Sequence, residues 1–264
     1  KDTERFLQNS KNHLNFTDDE EKYGKEFISQ LNISDEFVCF HNRDNKYLEV
    51  KLLEANWNFH DYRDYDIKSV IKACSILNKY NITCIRMGHI VKEKIIDNNL
   101  NIIDYATNYR TEFLDLYLSA KCKFFIVSNT GMNGLPKIFR RPMVIINMVP
   151  LSAFEYHSNI DLFIPKLLRN KKTKKYLKFN EIINYNGKLL NDNKNVIEVV
   201  DNTSDEIMEI TKEMNLRIDG DWVETEENEK LQAKFWDNLK YTDYKRPKSL
   251  KIGSKFLKKH IKLV

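Results

Sequence analysis

The sequence predicts an α/β fold: a parallel sheet flanked by helices, followed by a helical C-terminal region. Three observations carry that expectation. Short runs of β-branched and aromatic residues recur between residues 37 and 147. Between them lie segments whose apolar residues repeat at three- and four-residue steps. Small polar loops follow the first run and the run ending at Val127. Strands that alternate with helices at this spacing are joined by crossovers, and crossovers give parallel pairing.

Residues 1–36 are polar and charged, with only weak helical spacing. Glu36-Phe37-Val38-Cys39-Phe40 then reads as a strand, and it runs into His41-Asn42-Arg43-Asp44. A strand ending in a polar loop is where α/β proteins keep their chemistry. Ile67, Val70, Ile71, Cys74 and Leu77 give one apolar face to a helix over 66–80. Asp66 suits its N-cap and Asn81 its stop. Residues 82–87 form the next buried strand, closed by Gly88, and 101–103 a short third one.

Thr111 begins a helix over 111–120, and 123–127 follows as a strand. Ser128-Asn129-Thr130-Gly131-Met132-Asn133-Gly134 is a loop of small residues. The helix over 135–139 takes Pro136 in its first turn, where a missing N–H costs nothing. Residues 143–147 are the next strand. Over 151–200 the pattern loosens. Thr203 and Glu206 then form a capping box ahead of Ile207, Ile210 and Met214, which share a helix face. From Glu226 onward the chain reads as helices packed back on the main sheet, ending in a basic tail.

A chain of 264 residues holds one large domain or two small ones. Its 13 Tyr, 15 Phe and 3 Trp exclude disorder. The net charge, 43 − 38 = +5, permits an anionic partner without selecting one. Basic residues crowd 169–178 and 245–262, and each stretch is either a solvated face or a contact for an anionic glycan or a membrane-associated acceptor. Cys39, Cys74, Cys84 and Cys122 form no C-x-x-C pair and read as small buried apolar groups. The Asn-x-Ser/Thr triplets at Asn15, Asn32, Asn81 and Asn202 read as accidental in a chain this rich in Asn. The longest apolar runs fall far short of the ~20 residues that span a membrane. The chain starts at Lys1, and the expectation is that a native N-terminal part precedes it.

Four places carry candidate chemistry. His41 and Arg43, two apart at a strand end, point to one side. A guanidinium there binds a diphosphate through its planar fork and stabilises charge that grows on a leaving group. The alternative is a surface ion pair of Arg43 with Asp44 beside a structural His41. Ser128, Asn129, Thr130 and Gly131 join a strand to a helix, and small residues let a phosphate approach backbone N–H groups. They match neither the P-loop nor the G-x-G-x-x-G pattern. Asp115 interrupts an apolar helix. It contacts a nucleoside, or pairs internally with Arg110. Arg86, in an apolar strand, needs a partner, either a phosphate or a carboxylate such as Asp104.

The order of these pieces resembles the donor-binding half of fucosyltransferases, which carry an H-x-R-R-x-D motif and a later Ser-rich loop. It is closer to a family of bacterial glycosyltransferases from surface-polysaccharide clusters. The matching segments are His41 to Leu48, Tyr62 to Asp66, Ile85 to Gly88, Asp115 to Leu118 and Asn202 to Ile207. The resemblance implies a GT-B-like fold, with Rossmann-like parallel sheets around a donor cleft and no obligatory metal. It divides the chain into the rest of an N-terminal lobe (1–80, with the His-x-Arg loop), a Rossmann-like nucleotide-sugar domain (81–200) and C-terminal helices (201–264).

By the same resemblance, Arg43 holds the diphosphate and assists departure, His41 lines the donor site, Asp115 contacts the nucleoside, and Thr130 and Gly131 hold phosphate. With Asp44, added by its position, Arg43 and His41 are the expected catalytic residues, and Arg86, Ser128 and Asn129, added from the reading of the residues above, complete the expected donor contacts. The substrate is a nucleotide sugar, no separate cofactor is expected, and the acceptor is a glycan or lipid-linked glycan met at the cytoplasmic face of the membrane. Nucleic acid is not an expected partner. The second Arg of the fucosyltransferase motif is missing, so fucose itself is not implied. Asp44, Asp61 and Asp64 are positioned as possible bases. Two other readings compete. A nucleotide-sugar epimerase would use carboxylates facing the sugar ring. A non-enzymatic module would bind nucleic acid or an anionic glycan through the basic stretches, with a steep salt dependence.

Overall fold

In the computed structural model, residues 6–52, 57–97, 100–153, 158, 160–239 and 250–264 are described. Seven strands make one sheet: β1 (Phe37–Phe40), β2 (Thr83–Arg86), β3 (Ile102–Ile103), β4 (Phe125–Val127), β5 (Met143–Met148), β6 (Leu162–Pro165) and β9 (Lys251–Ile252). Their order is β3-β2-β1-β4-β5-β6-β9, and every pairing is parallel. β1, β2, β4, β5 and β6 are buried at every residue. A parallel sheet is covered on both faces, so its strands favour continuous apolar runs, as in β1 and β4, while β2 carries buried Thr83 and Arg86 and β5 buried Asn147.

The covering helices form for local reasons. Asp66 accepts a bond from the Lys68 N–H and opens a 3-10 turn (Ile67–Val70) that continues as the Ile71–Asn78 helix. Asn81 turns the chain out of that helix with φ of 59°. Thr111 caps the Glu112–Lys121 helix through the Leu114 N–H. Thr203 and Glu206 close the capping box of the Ser204–Asp219 helix, which Gly220 ends at φ of 81°. Right-handed crossovers put Ile71–Asn78, between β1 and β2, and Glu112–Lys121, between β3 and β4, on opposite faces. Ser204–Asp219 packs against Ile71–Asn78, and Asp18–Gln30 against Glu112–Lys121.

The sheet does not break at residue 80. β1, expected in a separate N-terminal lobe, is an interior strand of it, hydrogen-bonded to β2 on one side and β4 on the other. Among the described residues there is one parallel sheet, joined by a separate antiparallel pair, β7 (Leu167–Asn170) and β8 (Ile197–Val200). The C-terminal region is not wholly helical, because β9 adds an edge strand beside β6. β6 and β7 lie in the stretch where the sequence pattern loosened. There Pro165 and Lys166 break the apolar run, and Lys166 is buried with its ammonium on the Asp64 carbonyl (2.6 Å) and the Asp201 carboxylate (2.7 Å).

Four residues of the basic stretches stitch the fold. Arg169 makes a two-pronged pair with Glu198 across β7 and β8 (2.9 and 2.7 Å). Lys251, Lys258 and Lys259 pair with Glu224, Glu227 and Glu206. Residues 245–249 of the second stretch lie outside the described residues. All four cysteines are buried thiols. Among the described residues no helix is long and apolar enough to cross a membrane.

Candidate active site

The chain runs from β1 outward to β2 and β3, then returns to the other side of β1 as β4. That reversal leaves a crevice beyond the carboxyl ends of β1 and β4, where open α/β sheets bind their ligands. A cleft of about 480 Å³ lies there. His41, Arg43 and Asp44 line it from the β1 loop, and Thr130, Gly131 and Met132 from the β4 loop. His89, Ile90 and Val91 enter from the β2 side, behind Gly88, whose φ of 152° turns the chain after the strand. A Cβ on Gly88 would meet the Val91 side chain at 2.8 Å.

Each β1-loop side chain has a defined setting. The His41 N–H donates to the Ile126 carbonyl (3.0 Å), which ties the loop to β4. Burial, with Arg86 nearby, pushes the His41 imidazole down to about 4, so it is neutral near pH 7. Its buried Nδ1 meets no protein partner. Arg43 donates Nη1 to the His60 carbonyl (3.1 Å) and is ion-paired with Asp64. Burial raises the Asp64 carboxyl to about 6, against the opposing pull of Arg43. Asp44 accepts the Lys46 N–H (3.0 Å) on one oxygen and the Lys92 N–H (3.1 Å) on the other, so it braces the β1 loop against the β2 loop.

The β4 loop turns tightly. Thr130 Oγ1 accepts the Met132 N–H (3.2 Å) at the start of a 3-10 turn, Gly131–Asn133, that leads into the Gly134–Ile138 helix. A Cβ built on Gly131 would meet nothing within 4 Å, so its backbone faces open space.

Four predicted donor contacts are not among the residues that line the cleft. Arg86 is fully buried, with Nη1 on Asp104 (3.1 Å) and the Glu93 carbonyl (2.9 Å). Of its two anticipated partners, the carboxylate is the one it has. Asp115 accepts from the Tyr105 hydroxyl (2.9 Å) and from Arg110 Nε (3.0 Å). Burial raises its carboxyl despite both, and it lies within electrostatic reach of His89. Ser128 and Asn129 point into the protein, and Asn129 donates to the Ala153 carbonyl (3.1 Å).

The cleft also contains residues that motif reading passed over. Trp57, His60 and Arg63 come from a segment bearing a 3-10 turn (Asn58–Arg63), and Tyr47 from the Lys46–Lys51 helix. Trp57 and His60 stack at 6.2 Å with planes 13° apart, and Phe59 sits 4.0 Å from His60. Arg63 donates Nη2 to the Asn129 carbonyl. The density of aromatic and basic residues over 57–65 was a usable signal. Among the described residues no group of three or more His, Cys, Asp or Glu is arranged to hold a metal ion.

Fold and site together define an α/β protein whose cleft, at the switch point of a parallel sheet, is lined by cationic, aromatic and imidazole side chains. No family model matches the chain, and no curated protein matches it. Among solved structures, it is similar to a glycosyl transferase family 9 protein from Veillonella parvula DSM 2008, with 11% sequence identity and a TM-score of 0.45. The similarity covers 78% of this chain and 54% of that one, so this chain spans about half the length of the protein it matches.

Proposed function

We propose that this chain binds a nucleotide sugar and transfers the sugar to a glycan acceptor, as a GT-B-like glycosyltransferase. The observation that carries the reading is Arg43. Its guanidinium is held by Asp64 and the His60 carbonyl in the switch-point cleft that the Thr130–Met132 turn also lines. The order of motifs from His41 to Ile207 supports the same reading.

In this reading the acceptor oxygen bonds to the anomeric carbon. The bond from that carbon to the phosphate oxygen breaks, and its electron pair leaves with the nucleotide. Negative charge therefore grows on phosphate during the reaction. A preorganised guanidinium stabilises that charge more in the transition state than in the bound substrate, which is what accelerates the step. Arg43 supplies this charge, and no metal is invoked. A surface glycan or lipid-linked acceptor belongs to the same proposal.

The test is thermal unfolding with GDP, UDP, CMP, TDP and their sugar conjugates, for the parent and Arg43→Ala. A ligand at 100 times its Kd adds about 2.7 kcal/mol of apparent stability. Stabilisation by one nucleotide, lost in the variant, is the expected result. No stabilisation by any of them overturns the reading. Turnover of a sugar nucleotide without an acceptor points to epimerisation instead.

A further inference from the structure

We propose that the hairpin turn between Asn170 and Lys175 docks on the surface of an anionic lipid bilayer, through a cluster of lysines set beside exposed apolar side chains. None of these residues lines the cleft, so the docking does not depend on the nucleotide-sugar reading.

After β7 the chain turns back on itself. Arg169 bridges Tyr176, the Leu177 N–H donates to the Leu168 carbonyl (2.9 Å), and the Asn170 N–H donates to the Lys175 carbonyl (2.9 Å). Asn170 Oδ1 accepts the Lys172 and Thr173 N–H groups (3.0 and 2.9 Å), and Lys174 takes φ of 59° to close the turn. The tip is therefore ordered by its own hydrogen bonds, with residues 171–176 all exposed. It carries Lys171, Lys172, Lys174 and Lys175, and residues 170–178 contain no Asp or Glu. Glu198 on β8 is within electrostatic reach of Lys171 and Lys174, but both its oxygens are taken by Arg169. Lys171 donates Nζ to the Lys194 carbonyl (2.6 Å), which sets exposed Lys194 beside the tip. Apolar groups flank these charges. The Lys171 N–H donates to the carbonyl of Val196, a residue 51% exposed. Tyr176 is 40% exposed, with the Arg169 guanidinium 5.8 Å from its ring.

A lysine is a hydrated point charge on a flexible stem, which suits a diffuse anionic surface better than two-pronged recognition of a single phosphate. Each lysine near an anionic leaflet strengthens partitioning about fivefold. Val196 and Tyr176 favour lipid over other polyanions. A bilayer holds an apolar layer just beneath its headgroups, where tyrosine rings and lysine stems settle. Nucleic acid and an anionic glycan offer Val196 no such layer.

The experiment is co-sedimentation of the full chain with vesicles of phosphatidylcholine alone and of equal parts phosphatidylcholine and phosphatidylglycerol. Binding to duplex DNA and to heparin is measured at the same salt. The parent is compared with the triple variant Lys172→Gln, Lys174→Gln, Lys175→Gln and with Val196→Ser, and thermal unfolding of each reports whether the fold is kept. The parent is expected to bind the anionic vesicles and not the neutral ones, with binding that weakens as salt is raised. The triple variant loses about a hundredfold, from about fivefold for each lysine removed. Val196→Ser loses about three- to tenfold on anionic vesicles and keeps its DNA and heparin binding within about twofold. No binding to anionic vesicles, equal binding to neutral ones, or an unchanged triple variant overturns the inference. An unchanged Val196→Ser, or DNA or heparin bound more tightly than the anionic vesicles, also overturns it and assigns the turn to a soluble polyanion. Stabilisation by nucleotide is expected to be the same in the triple variant as in the parent. Its loss there would place the turn in the cleft's own site and count against a separate docking surface.

Discussion

The guanidinium of Arg43 is paired with the carboxylate of Asp64, 21 residues further along the chain, with side-chain exposures of 11% and 23%. Burial still dominates at Asp64, because the pair does not offset the loss of water. Its carboxyl stands at about 6, above the ordinary 3.8. The folded chain therefore holds that proton more tightly than the unfolded chain between about pH 4 and 6. Ionising Asp64 costs stability as pH rises through this window, and the cost is constant above it.

Asp64→Asn keeps the shape and removes the titration. Relative to the variant, the parent should lose about 1–3 kcal/mol of stability between pH 4 and 7, since a tenfold change in proton affinity is worth about 1.4 kcal/mol. Urea midpoints across that range provide the check. Parallel curves for the two proteins would contradict the assignment.

Glu206 behaves in the opposite sense. Burial opposes its ionisation, but His260, Lys259 and the Thr203 N–H outweigh it and hold the carboxyl at about 2. A depressed pKa gives stability that is present above about pH 4.5 and lost as pH falls towards 2. Glu206→Gln should cost at most about 3 kcal/mol at pH 7, by the same conversion. It should also flatten the acid limb of stability below pH 4.5, read by denaturant titration at pH 7 and 3.

The Arg86–Asp104 pair is buried on both sides, at 0% and 4% side-chain exposure. Asp104→Ala strands a buried guanidinium and should cost about 3–5 kcal/mol. The double variant Arg86→Met with Asp104→Leu should recover part of that loss, because an apolar pair leaves no charge uncompensated. If the double variant is as unstable as the sum of the singles, the two residues are not coupled.

Two glycines separate folding from function. A Cβ on Gly24 would lie 2.2 Å from the Tyr117 ring, where the Asp18–Gln30 helix meets Glu112–Lys121. Gly24→Ala should cost about 1–3 kcal/mol through overpacking. A Cβ on Gly131 meets nothing, so Gly131→Ala should leave thermal stability within about 0.5 kcal/mol. In the proposed site it should still weaken nucleotide binding by obstructing the turn. Unchanged affinity in Gly131→Ala would show that no phosphate approaches there.

The sequence by itself determined the local structure. Apolar runs marked β1, β2, β4 and β5, because strands covered on both faces carry no polar alternation. Asp66, Thr111 and Thr203 marked helix starts, because a side-chain oxygen there meets an N–H two or three residues away. Those signals act within one turn of chain and need no knowledge of the rest. The loops at His41–Asp44 and Thr130–Gly131 were legible for the same reason.

Only the tertiary structure decided which charged groups face the cleft. Arg43, Arg63 and Arg86 are the same residue type in the same half of the chain. Sheet order gives them different surroundings: Asp64 for Arg43, the Asn129 carbonyl for Arg63, and buried Asp104 for Arg86. Their partners are 21, 66 and 18 residues away in sequence. The choice between an internal carboxylate and a ligand is made by the crossover that returns the chain to β4 beside β1. β9 was hidden for a related reason, since two residues carry no periodicity and Lys251–Ile252 becomes a strand only by meeting Leu162 and Phe163 of β6.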